Sequence, residues 1–110
     1  MMMGPRIAAL RREAGLSQAE LAKRLQVSPS AMGMYEQGRR EPSAEILVAI
    51  SRELDVSTDY LLTGIPKSAA EEDAMTQMLL DRVMSADRRD HRGFSRQELA
   101  VLFAALLMDP

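Results

Sequence analysis

The sequence predicts an all-α protein, with five short helices in residues 1–64 followed by a two-helix extension in residues 65–110. Three observations carry that expectation. Apolar residues recur at helical spacing, and no segment alternates as a half-buried strand would. Serines precede most of the apolar segments and glycines follow several of them, which are the start and stop signals of helices. With 46% hydrophobic residues, 4% aromatic residues, nine methionines and no tryptophan, the core must be aliphatic and rich in methionine.

The first helix is expected near residues 5–14, carrying Ile7 and Leu10 and stopped by Gly15. Ser17-Gln-Ala-Glu20 fits a capping box and opens a second helix over 18–25, with Leu16 and Leu21 at hydrophobic-staple spacing. Ser28 before Pro29 opens a third over 29–37, with Val27 and Met32 as the staple and Gly38 as the stop. Ser43 and Ser57 cap helices over 44–54 and 58–62, and Gly64 ends the last of these. Ile7, Leu10, Leu21, Leu25, Met32, Tyr35, Ile46, Leu47, Ile50, Leu54, Leu61 and Leu62 can share one small core. Gly64 to Ser68 is a joint. Ser68-Ala-Ala-Glu71 then opens a helix to about Met84, with Met75, Met78, Leu79 and Val83 on one side. The polar segment Ser85 to Gly93 interrupts, and Ser95-Arg-Gln-Glu98, stapled by Phe94 and Leu99, opens a final helix.

Composition narrows the function. A chain of 110 residues accommodates one ordinary domain, or a domain of about 60 to 65 residues with an appendage. Without cysteine there are no disulfides or thiolate metal sites, and a reducing cytoplasm is the natural setting. The N-terminus lacks the apolar region of a signal peptide, and the longest apolar run, Leu99 to Met108, is too short to span a bilayer. A soluble protein is expected. Residues 1–64 hold eight basic and eight acidic residues, so any nucleic-acid contact must rest on a local cluster rather than on net charge.

No enzyme signature is present. His91 lies among Arg88, Arg89, Asp90 and Arg92, the setting of an exposed loop, and Glu71-Glu72-Asp73 reads as first-turn acids that suit a helix dipole. No nucleophile with a base and no glycine-rich phosphate loop appears, and no cofactor or metal is expected.

The second and third helices are joined by Gln26-Val27-Ser28, which leaves room only for two helices meeting steeply. This is helix-turn-helix spacing. Ala22 falls where the two helices cross and where a small side chain is required. At about 100° per residue, Ala31, Met32 and Tyr35 turn inward, leaving Pro29, Ser30, Gly33, Met34 and Gln37 outside. That outer face carries few groups able to make bidentate contacts with base edges.

From Ile7 to Gly64 the text, with GLSQAELA, VS, YEQGRREPS and LDVSTDYLL in order, resembles the DNA-binding domain of the xenobiotic-response-element family. That family comprises five-helix, lambda-repressor-like regulators and includes phage Cro proteins and repressors. The resemblance covers a little over half of the chain. It implies that the third helix enters the major groove, that the second begins against a phosphate, and that a homodimer meets a two-fold symmetric operator. It places Gln18, Pro29, Ser30, Gly33 and Met34 in the base-contacting region. Gln37 joins them through its outward position, and Gly33 is expected to admit the duplex closely. Phosphate contacts are expected from Ser17 and Gln18 at a helix N-terminus and from Arg39 and Arg40 beyond the third helix. Lys23 and Arg24 are either phosphate contacts or a solvated face. Arg11 and Glu36 match positions that pair between the first and third helices, a structural role. Gln26 and Asp55 stand where the family commonly has glycine in a left-handed conformation.

The last helix, Leu99 to Met108, is apolar on every side and is expected to need a second surface. Homodimerisation through Leu99, Leu102, Phe103, Leu106 and Leu107 is the simplest account; packing against the sixth helix and the first domain is the other. Three functional readings follow. The favoured one is a sequence-specific transcriptional regulator, a repressor acting on double-stranded DNA. The second is an antitoxin-like or adaptor protein whose tail binds a different protein, and the third a protein-only interaction module. A membrane partner is not expected, because the tail lacks a cationic polar face.

Overall fold

The computed structural model describes residues 3–84 and 96–107, with the side chains of 82–84, 102 and 105–107 left aside. All regular structure among the described residues is helical: α1 (Met3–Glu13), α2 (Gln18–Leu25), α3 (Pro29–Gln37), α4 (Ala44–Glu53), α5 (Thr58–Thr63), α6 (Ala69–Met84) and α7 (Arg96–Leu107). The chain forms two compact units, Met1–Gly64 and Ile65–Pro110.

In the first unit, local chemistry sets most helix ends. Ser17, Ser28, Ser43 and Ser57 each adopt extended backbone at an N-cap, where the side chain accepts the N–H three residues on. Gln26 closes α2 in the left-handed region at φ 59°, and Asp55 follows α4 at φ 55°. α1 begins two residues earlier than its sequence pattern suggests. Pro5 then lies in the first turn, where a missing N–H costs nothing. Gly4 lets this early turn pass close to the end of α3. A β-carbon there would stand 2.7 Å from the Tyr35 carbonyl oxygen and nearer still to that of Glu36.

α3 packs against both α1 and α2, while α5 closes on α1 and α4. Ile7, Leu21, Met32, Ile50 and Leu61 are fully buried at the centre, with Leu10, Leu25, Tyr35 and Leu54 around them. The core differs from the expected one on α5 and α4. Leu62 is 43% exposed, and Tyr60 takes the inward place on α5 instead. Ile46 and Leu47 are half-buried. Arg6, itself buried, sets its guanidinium 5.8 Å from the centre of the Tyr60 ring and donates through Nη1 to the Leu61 carbonyl at 2.7 Å.

In the second unit, the Ser68 hydroxyl accepts the Glu71 N–H at 3.1 Å and the Glu71 carboxylate accepts the Lys67 N–H at 3.0 Å, which opens α6. Met75 and Leu79 are buried and Met78 is half-buried. α6 packs on α7, and a groove of about 410 Å³ runs between Thr76 and Glu72 on one side and Ala100 and Ala104 on the other. The expected polar interruption at Ser85–Gly93, with His91, and the Phe94–Ser95 start of the last helix lie outside the described residues, as does Met108.

Candidate nucleic-acid interface

The interface is built on the start of α2 and the outer side of α3. Ser17 caps α2 reciprocally with Glu20: its hydroxyl accepts the Glu20 N–H at 3.0 Å, and the Glu20 carboxylate accepts the Ser17 N–H at 3.1 Å. The bonds with Ser17, helped by the charge of Arg24, hold the Glu20 pKa below the usual glutamate value. Beyond the cap, the first N–H groups of α2 are left without intrahelical acceptors and face anions favourably.

Residues on α3 divide by side. Ala31, Met32, Tyr35 and Glu36 are buried, whereas Pro29, Ser30 and Gln37 are exposed and Gly33 and Met34 are half-exposed. Gly38 ends the helix at φ 72°, and the exposed Arg39 and Arg40 follow directly. Lys23 is exposed on α2; Arg24, its neighbour, faces Glu53 at 3.4 Å in an exposed pair that contributes little to stability.

Behind this surface sits a polar cluster. Arg11 on α1 donates through Nε to Glu36 at 2.7 Å, through Nη2 to the same carboxylate at 3.2 Å, and through Nη1 to the Leu16 carbonyl at 2.8 Å. The Arg11 and Glu36 side chains are 11% and 6% exposed, so this forked pair straps α3 to α1 and to the loop before α2. Glu36 also accepts a hydrogen bond from Gln18 Nε2 at 3.0 Å. Sequence reasoning did not reach that contact, because nothing in spacing alone relates residue 18 to residue 36. Gly33 borders the same place: a β-carbon there would meet only Gln18 Oε1, at an ordinary 3.7 Å. Packing within the protein therefore does not demand glycine at this position.

On α7, Leu99 and Phe103 are 43% and 64% exposed, while the side chains of Leu102, Leu106 and Leu107 lie outside the described residues.

A family model described as Helix-turn-helix matches residues 7–61, half of the chain. The chain belongs to the helix-turn-helix family. Relatives of this helix-turn-helix protein include the repressor protein C2 of Salmonella phage P22, 43% identical over 63 residues that cover 57% of the chain and 29% of the phage protein. The uncharacterized HTH-type transcriptional regulator YqaE of Bacillus subtilis (strain 168) is 35% identical over 80 residues, covering 73% of the chain and 69% of YqaE. Among solved structures, the P22 c2 repressor in complex with synthetic operator 9T superposes with a TM-score of 0.56 at 42% identity, covering 58% of the chain and 97% of that structure. The clp gene regulator ClgR of Corynebacterium glutamicum superposes with a TM-score of 0.53 at 27% identity, over 80% and 84%. These likenesses bear out the expected lambda-repressor-like fold and the resemblance to phage repressors and related regulators.

Proposed function

We propose that this helix-turn-helix protein is a sequence-specific regulator of transcription, a repressor that binds a two-fold symmetric site on double-stranded DNA as a homodimer. One observation carries the reading: Pro29, Ser30, Gly33, Met34 and Gln37 face outward while Ala31, Met32, Tyr35 and Glu36 anchor α3 from behind. The likeness to a repressor solved on its operator supports it. Base contacts fall to Gln18, Pro29, Ser30, Gly33, Met34 and Gln37, with Met34 against thymine methyl groups and DNA shape supplying further preference. Phosphate contacts fall to Ser17, Gln18, Lys23, Arg39 and Arg40, and Arg11 with Glu36 holds the reading helix in place. The role is binding rather than catalysis, exercised in the cytoplasm without a cofactor.

Homodimerisation is assigned to α7, whose exposed Leu99 and Phe103 support it. Leu102, Leu106 and Leu107 belong to the same proposed surface. The same exposure favours a second reading, in which α7 binds a different protein; a second polypeptide that copurifies in fixed ratio would identify that case.

The test is selection of genomic DNA fragments by the full chain, followed by sequencing. Enriched fragments are expected to share a motif of two inverted half-sites. Recovery no better than that of bulk DNA would overturn the proposal.

A further inference from the structure

We infer that Gln18 is a specificity-determining residue: its side-chain carbonyl oxygen accepts a hydrogen bond from a base amino group, adenine N6 or cytosine N4, across the gap left by Gly33. The inference rests on the DNA-binding reading above. Its origin is the chemistry of the Glu36 carboxylate, which accepts hydrogen bonds and cannot donate them. Gln18 must therefore turn its amide nitrogen towards Glu36, and Nε2 lies 3.0 Å from Oε1 of that residue. The carbonyl Oε1 is left on the side of Gly33, 3.7 Å from where a β-carbon would stand. Residue 33 carries no side chain to cover the approach to that oxygen from its own side.

An outward carbonyl has no partner on the DNA backbone, since phosphate oxygens also only accept. In the major groove the donors are the amino groups of adenine and cytosine, whereas guanine N7 and O6 and thymine O4 accept. Gln18 thus divides its work. Its main-chain N–H, at the first position of α2, is free for a phosphate, and its side chain selects an amino-bearing base.

Selection from a random double-stranded DNA pool, by the full wild-type chain and by a Gln18→Met variant, tests this. At one position of each half-site the wild type is expected to prefer adenine or cytosine over guanine or thymine on the contacted strand, by roughly threefold to tenfold, the scale of one hydrogen bond. Gln18→Met flattens that position and leaves the others. A Gln18→Met variant that loses affinity uniformly, with its base preferences unchanged, would overturn the inference. So would a wild-type preference for guanine or thymine on the contacted strand at the position that Gln18→Met flattens. If the wild type selects no motif, the DNA-binding reading fails and this inference with it.

Discussion

Two glycines on neighbouring helices carry opposite demands, and single substitutions separate them. At Gly33 a methyl group finds ordinary contact distance, so Gly33→Ala should raise stability by about 1 kcal/mol through helix propensity alone. If α3 lies against a duplex at this point, the same methyl weakens DNA binding; urea melts and gel-shift titrations should therefore move in opposite directions. Gly4→Ala, by contrast, drives a methyl into the Tyr35 and Glu36 carbonyls and should cost about 1 to 3 kcal/mol. Sequence reading could mark Gly33 as needing an explanation, because it sits inside a helical pattern. It could not mark Gly4, whose constraint comes from a helix thirty residues away. At Glu20 the lowered pKa has a definite consequence. The carboxylate supports the start of α2 above the ordinary glutamate value, and the support is lost as pH falls through the lowered value. An NMR titration should place Glu20 below a free glutamate, and Ser17→Ala, which removes the hydroxyl but keeps the main-chain N–H, should return it only part of the way.

Helix ends were legible wherever both signals were local. α2 and α3 match their expected spans because a capping serine opens each and a left-handed residue closes each, Gln26 for one and Gly38 for the other. α5 was harder: at six residues it is too short for periodicity to rank its apolar side chains, so Tyr60 took the buried place expected of Leu62. What no local pattern conveyed is how elements are tied together. Arg11 spans α1, Leu16 and Glu36 with three donors, and Glu36 passes the constraint on to Gln18. Truncation of Arg11 to alanine leaves a buried carboxylate without its cation and should cost about 3 kcal/mol, measured by denaturant unfolding. Replacement of both partners by methionine should cost less than Arg11→Ala alone, since no uncompensated charge remains.

The whole molecule offers DNA no general electrostatic attraction. Its net charge is −2, so affinity must come from cations placed at particular phosphates, and counting them also counts subunits. Each phosphate contact contributes about 0.9 to the slope of log affinity against log salt. Arg40 is exposed just past α3, and under its proposed assignment to a phosphate, Arg40→Ala removes one such contact per copy of the chain. A homodimer should therefore lose about 1.8 from its slope and a monomer about 0.9. Ser30→Ala, which removes an exposed hydroxyl proposed to meet the bases, should leave the slope in place and change preference at a few base pairs instead. Phe103→Glu then connects the two units, because it places a charge on an exposed apolar position of α7 without disturbing a buried one. With that substitution, sedimentation should report a monomer, and the further effect of Arg40→Ala on the slope should halve. A full-sized effect of Arg40→Ala in a Phe103→Glu background would overturn the proposed role of α7 in pairing two copies of the chain on DNA.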